Sequence, residues 1–190
     1  APVMVLPSGL RTRVRDLWCG DRRVGEAGAG MAVALTLDGE HDVIRGDMIV
    51  AENQPAELEH IFKVRLVWMG EQPLYTGRQY LFRGVAGTAT AAIIRIRDII
   101  ELSSYQRLAA DHFSHNDIGE AELMLSRPIP FDPYAENRET GGFILMDRLT
   151  NTTVACGMIL HPLRRSATLH RQFEEVGPAE RAALKGQQPC

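Results

Sequence analysis

Apolar and polar residues alternate along much of this 190-residue chain with a period of two, the spacing of a half-buried β-strand. In Ile61 to Met69, Phe62, Val64, Leu66 and Trp68 fall on one side, with Lys63 and Arg65 on the other. Gln79 to Arg83 repeats the pattern with Tyr80 and Phe82. Ala91 to Asp98 sets Ala92, Ile94 and Ile96 against Arg95 and Arg97, and Glu120 to Ser126 sets Ala121, Leu123 and Leu125 against Glu120 and Glu122. Phe143 to Asp147 and Thr153 to Ile159 bring the predicted strands of this region to six. Short strands divided by Gly, Pro and Asn turns, without sustained 3.6-residue periodicity, predict an all-β closed barrel or sandwich. The barrel is preferred because it leaves no open edges. Ile100 to Phe113 reads as a short helix or a long loop.

The N-terminal part is also all-β. A strand ends at Pro7-Ser8-Gly9, Thr12 to Leu17 follows, and after the Gly20-Asp21 turn comes Met31 to Leu37, with Val33, Leu35 and Leu37 on one face. Asp38-Gly39 has the composition of a hairpin turn leading to Asp47 to Val50. At Glu52-Asn53-Gln54-Pro55-Ala56 the chain turns polar, and proline withdraws a ladder donor, so a boundary is expected there. This divides the chain into residues 1-52, 56-160 and a basic, interrupted segment 161-190 that reads as a linker, with two helical turns expected over Ala179 to Lys185.

At 45% hydrophobic the chain can bury one sizeable core or two small ones. A formal charge of -3 offers no electrostatic reason to expect nucleic acid or an anionic membrane. Cys19, Cys156 and Cys190 are odd in number and widely separated, which argues against a disulfide framework or a zinc site and fits a reducing cytoplasm. No basic leader with an apolar core opens the chain, and no apolar run approaches ~18 residues. The start on a strand without an initiator Met suggests a fragment.

Candidate chemistry is sparse. A phosphate-binding loop needs clustered glycines followed by Gly-Lys-Ser/Thr, and the one glycine-rich run, Gly25 to Gly30, continues into Met31-Ala32; it reads as a flexible turn. His112 and His115 beside Asp111 have a spacing that metal sites use, but no further ligands accompany them, so solvated loop residues are expected. Ser8 and Ser166 lack a nucleophile-elbow context. Glu120 and Glu122 are expected on the solvated outside of a strand, not as an acid/base pair. Arg45-Gly46-Asp47 reads as a strand-entry turn, and Arg164, Arg165 and Arg171 as a solvated linker in preference to phosphate ligands. Trp68, Tyr80 and Phe82, at core spacing, are assigned to packing in preference to base stacking. No catalytic, cofactor-binding or metal residue is assigned.

Several blocks occur in an order that resembles one family. They are Leu6-Pro7-Ser8-Gly9; Gly30 to Leu37 with Asp42 to Asp47; Leu66-Val67-Trp68-Met69 with Pro73-Leu74 and Gly77-Arg78-Gln79-Tyr80; and Tyr134 to Ile159 with its Thr150-Asn151-Thr152-Thr153 turn. Together they resemble the large GTPase subunit of bacterial sulfate adenylyltransferase. The tail, Leu163-Arg164-Arg165, His170-x-Gln172 and Arg181 to Pro189, resembles the junction into the adenylyl-sulfate kinase of bifunctional members. The resemblance implies translation-factor-like tandem β-barrels, a partial second barrel over 1-52 and a complete six-stranded third barrel over 56-160. It implies a parent using GTP, ATP and Mg2+, a small ATP- and sulfate-binding subunit as partner, and GTPase and possible kinase domains outside this chain. Asn116-Asp117-Ile118-Gly119 fits the family, whereas His112 to His115 depart from a more regular Leu-rich strand. The barrels would then support adenylyl sulfate formation by positioning domains and binding the small subunit. Glu71, Arg78, Arg138 and Thr140, in or near turns of the matching blocks, are the candidate contacts. The competing reading is a protein- or tRNA-binding barrel of another translation-factor-like GTPase.

Overall fold

The computed structural model describes residues 1–163. Arg164, Arg165, Ser166, Arg171, Cys190 and the helix expected over Ala179 to Lys185 lie outside the described residues.

The first sheet is a half-barrel of β1 (Pro2–Leu6), β2 (Leu10–Cys19), β3 (Arg22–Val24), β4 (Ala34–Leu37) and β5 (Met48–Ala51). β2 is its hub, pairing antiparallel with β1, β3 and β4, while β5 pairs β1. Gly20 and Asp21 close the β2–β3 hairpin, with Cys19 opposite Arg22 and Gly20 at φ +58°, a backbone region glycine enters without a Cβ penalty. The Asp38-Gly39 hairpin is not formed: β4 pairs β2 and β5 pairs β1, so this turn leads between strands that are not neighbours. The expected strand from Met31 also shortens to β4. Val33, Leu35 and Leu37 share a face as expected, but they are half-buried, and fully buried apolar side chains here are Val3, Val5 and Leu6.

After residues 52–56 the chain enters a closed barrel. Its strands are β6 (Glu57–Trp68), β8 (Gln79–Gly84), β9 (Gly87–Ile100), β12 (Ile118–Phe131), β13 (Gly142–Met146) and β14 (Thr153–Pro162). They pair antiparallel in the order β9-β12-β6-β14-β13-β8, and β8 returns to β9. Every edge is thereby satisfied. The interior is fitted by size. Tyr80 stands opposite Ala91, Phe82 opposite Ala89, and Trp68 opposite Ala155, so each large ring has a small residue across the ladder. Phe143 lies across from both Gly157 and Gly84, and a Cβ on Gly157 would stand 2.2 Å from its Cζ. Trp68, Tyr80 and Phe82 are buried in this core, as their spacing predicts.

Two details depart from strict alternation. β9 carries register shifts against β12 on either side of the Ala121–Glu122 pair, where two residues of β9 face one of β12. These bulges turn Ala91, Ile93 and Ile96 inward and leave Ile94 on the outside at 40% exposure, correcting the face expected for Ala92 and Ile94. The second departure is Ile100 to Phe113, which is neither helix nor plain loop. β9 runs through Ile100, turns over 101–106, returns as β10 (Arg107–Leu108), and then contributes β11 (His112–Phe113), which pairs with β7 (Leu74–Tyr75). Glu101 N donates to the Gln106 carbonyl and Tyr105 N to the Glu101 carbonyl, closing the tip. The one-turn helix α1 (Arg138–Gly141) begins at Asn137, whose side chain accepts from Glu139 N.

Candidate functional site

The barrel offers two concentrations of polar chemistry, one on its outer wall and one at an end. On the wall, Glu120 of β12 is 2% exposed although its side chain points away from the core, which corrects the solvated position expected for it. Its carboxylate meets Lys63 Nζ at 2.7 Å and an Arg65 Nη2 at 2.8 Å, both from β6, and is closed over by Arg107 of β10 at 2.8 Å. Arg107 also reaches Asp98 at 3.2 Å. The hydrogen bond from Arg107 outweighs burial, and with Lys63 and Arg65 it holds the Glu120 carboxyl far below the usual carboxylate range. Glu122 is half-buried and ion-paired with Arg97, so it too is not simply solvated. Every charge of the network is ion-paired, so it offers no free acid or base even though Arg65 Nε and Asp98 Oδ1 are buried without a hydrogen-bond partner; it clamps the β9–β10 hairpin onto the barrel.

At the end of the barrel, the segment 69–73 and the turn 147–152 border a groove of about 550 Å³. Its lining includes Trp68, Glu71, Arg78, Tyr80, Asp147 and Leu149. The segment is held by Trp68 Nε1 donating to the Gln72 carbonyl at 3.0 Å, and by Met69 and Gly70 amides donating to the Val154 carbonyl. Gly70 must lack a side chain, because a Cβ there would stand 2.7 Å from the Trp68 ring. The turn is organised by Asp147, whose Oδ1 accepts from Leu149 N at 2.9 Å and Thr150 N at 3.0 Å, bonds that lower its pKa. Its Oδ2 accepts from Arg78 at 2.7 Å, and the Arg78 guanidinium lies 5.5 Å from the Tyr80 ring centroid. Tyr80 is 1% exposed, its hydroxyl has no hydrogen-bond partner, and burial raises its pKa.

The four candidate contact residues do not form one patch. Glu71 and Arg78 both line the groove. Arg138 and Thr140 belong to α1, at the start of β13, whereas Asp147 follows its far end. Arg138 is exposed, and Thr140 is half-buried with its hydroxyl committed to Asp132 at 2.7 Å. Asp147 and the unpartnered Tyr80 hydroxyl were missed by sequence reasoning; Tyr80 carried a signal for burial, but nothing local marks its hydroxyl as unpaired.

The remaining candidates have local structural roles. His112 Nδ1 lies 2.6 Å from Asp111, which lowers the Asp111 pKa, and its ring packs against Tyr75 with centroids 5.5 Å apart. His115 instead faces the Gly70 carbonyl, so the two histidines do not converge. In the Arg45-Gly46-Asp47 turn, Asp47 accepts from Ile44 N at 3.0 Å, and Gly46, at φ +103°, passes close to Ala86. Among the described residues no group of three or more His, Cys, Asp or Glu could hold a metal. The Gly25 to Gly30 run has no following lysine, so it does not fit a nucleotide phosphate. No helix among the described residues is long and apolar enough to cross a membrane.

Comparison with known proteins fits this architecture. The bifunctional enzyme NodQ of Azospirillum brasilense is 42% identical over 99% of this chain and 30% of its own length. The bifunctional enzyme CysN/CysC of Xylella fastidiosa is 36% identical over 98% of this chain and 30% of its own length. Sulfate adenylyltransferase subunit 1 of Alteromonas mediterranea is 38% identical over 87% of this chain and 35% of its own length. The chain thus spans about a third of the curated relatives it matches. A crystal structure of sup35 complexed with GDP superposes with a TM-score of 0.77 at 18% identity, covering 86% of this chain and 41% of that one, a likeness of fold. Residues 61–160, the closed barrel, match the GTP-eEF1A C-terminal domain-like family, and with homologues among the NodQ, CysN/CysC and sulfate adenylyltransferase subunit 1 proteins along its length, the chain belongs to that family.

Proposed function

We propose that this chain is the β-barrel region, half-barrel 1-52 and barrel 56-160, of a sulfate adenylyltransferase large subunit. In this reading it takes part in sulfate activation without supplying catalytic residues: it spaces the neighbouring domains and binds the small subunit. The observation that carries it is the continuous similarity, over 98% to 99% of the chain, to bifunctional enzymes whose matched region is only 30% of their length. The packed barrel interior supports a mechanical role, because it is filled by Phe62, Phe82, Leu123 and their buried neighbours. The parent's GTP, ATP and Mg2+ are handled outside this chain, and the assembly works in the cytoplasm. Residues 161-190 lead toward the kinase of a bifunctional parent. The acidic balance favours a protein partner over tRNA.

The test is co-purification of the full-length parent with a tagged small subunit. The intact parent is expected to be retained, and a parent carrying the charge reversals Glu71→Arg and Arg78→Glu is expected to be retained less while still hydrolysing GTP. Absence of any association between intact parent and small subunit would overturn the reading.

A further inference from the structure

The groove at the barrel end is built to receive something, and its lining restricts what that is. The lining holds two carboxylates, Glu71 and Asp147, and one guanidinium, Arg78, so it carries net negative charge. Arg78 is already neutralised by Asp147 at 2.7 Å, which leaves Glu71 as the exposed charge at the lip. Beneath it lies an aromatic floor, Trp68 and Tyr80, packed edge to face with centroids 5.6 Å apart. At the bottom is a buried hydroxyl donor with no acceptor, that of Tyr80. A buried donor left unpaired is costly, and although the Tyr80 oxygen is itself buried, Tyr80 lines the groove, so a segment that displaces the lining above it gains a bond that the folded chain does not supply. Along the rim, Leu149 is 90% exposed and Met69 39% exposed, apolar surface beside the acidic lip.

We infer that this groove binds an extended polypeptide segment of a partner protein, one that places an arginine or lysine against Glu71, an apolar side chain against Leu149, and a backbone carbonyl on the Tyr80 hydroxyl. The inference rests on the reading of the barrel as a protein-docking module and names the chemistry of the segment it takes. A cation meets the acidic lip without disturbing the Arg78–Asp147 pair. An acidic segment would meet Glu71 unpaired.

The chain carries its own reporter. Of its two tryptophans, Trp68 lies in the groove floor and Trp18 lies on β2 of the half-barrel, so their indole N–H signals in a nitrogen-15 correlation spectrum read the site and a control. The full 190-residue chain is titrated with acetyl-Leu-Arg-Leu-amide and with acetyl-Leu-Glu-Leu-amide. The basic peptide is expected to shift the Trp68 indole and the Gly70 amide, leave Trp18 unmoved, and bind about tenfold more tightly than the acidic one. Glu71→Arg is expected to cost about tenfold in that affinity, and Tyr80→Phe, which keeps the ring and removes only the donor, about fivefold. Equal binding of the two peptides, no response at Trp68, or an affinity unchanged by both substitutions would overturn the inference. If the peptide response fails while the full-length parent still retains its small subunit, the groove is not the docking point and the proposed function survives. A peptide response without small-subunit association has the opposite meaning: the groove takes a basic segment, and the small subunit is not its source.

Discussion

Replacing Glu120 by glutamine keeps the shape of the side chain and removes only its charge. The carboxylate lies 2.7 to 2.8 Å from Lys63, Arg65 and Arg107. At an effective dielectric of ~20, each such contact carries a gross attraction of about 6 kcal/mol. Most of it is offset by stripping water from a 2%-exposed carboxylate, and the cations are themselves partly hydrated. What the substitution exposes is the asymmetry of a broken network: the three cations stay clustered with only Asp98, on Arg107, as a remaining counter-ion, which costs about 3 kcal/mol. With a urea dependence of ~2 kcal/mol per molar, the barrel's unfolding midpoint should fall by about 1.5 M. Trp68 fluorescence in a Trp18→Phe background reports barrel unfolding alone, since Trp68 belongs to the barrel core. The pH dependence gives an independent check. Because the folded carboxyl holds its proton less tightly than the unfolded one, its stabilisation is complete above the unfolded pKa of about 4.3 and is lost as pH falls through the lower folded value. The gap between the unsubstituted chain and Glu120→Gln is therefore flat above about pH 5 and narrows below about pH 4. A midpoint shift below about 0.3 M, or a gap that widens in acid, would refute the account of Glu120 as a buried, triply paired anion.

Three further outcomes follow from the packing. Gly157→Ala drives a Cβ to 2.2 Å from Phe143 Cζ and 2.8 Å from Leu66 Cδ2, and should cost about 3 kcal/mol in thermal or urea unfolding. Pairing it with Phe143→Leu should recover part of that loss, and an additive pair would show the clash to be wrongly placed. Tyr80→Phe removes a buried hydroxyl that has no partner, so barrel stability should hold or rise by up to about 1 kcal/mol; a clear loss would reveal a bond the hydroxyl makes. Amide hydrogen exchange should be faster over residues 1 to 52 than over 61 to 159, because the half-barrel buries few apolar side chains and keeps open edges while the barrel has none. Equal protection in the two parts would contradict that.

The inner face of the barrel was legible because its physical cause is local. A period of two fixes which side chains share a face, and burial then selects the apolar side, so Phe62, Val64, Leu66 and Trp68 could be assigned inward from nine residues of sequence, Ile61 to Met69. The outer face was not legible for the same reason. Alternation says that Glu120 points away from the core but not what lies over it, and the residue that covers it, Arg107, arrives on a strand the pattern did not reveal. β10 is two residues long, too short to show a period. The β9 bulges defeat alternation directly, since one inserted residue transfers every later side chain to the other face. Asp38-Gly39 misled differently: its composition reports a tight turn but not which strands the turn joins, and that is decided by β1 and β2 taking the two partners. Of the candidate contacts, Glu71 and Arg78 meet in one groove because segment 69–73 and β8 approach the same barrel end, a consequence of closure that turn propensity does not contain.

Closure also decides where this barrel can interact. A six-stranded barrel filled by Trp68, Tyr80, Phe82 and Phe143 against alanines and glycines has no interior site to offer, and its strand edges are consumed by one another. Recognition is left to the wall and the ends. On the wall the strongest charges are already spent holding β10 in place, because a carboxylate with three cationic partners has little left for a ligand. The end is different: Arg78 and Asp147 satisfy each other, Glu71 has solvent before it, and Tyr80 keeps a donor in reserve. A surface that must stay rigid while engaging a partner is well served by this division. Its stiffening charges and its contact groups are separate sets of residues, so Glu120→Gln should weaken the barrel without altering the groove's preference for a basic segment, and Glu71→Arg should reverse that preference without lowering the unfolding midpoint.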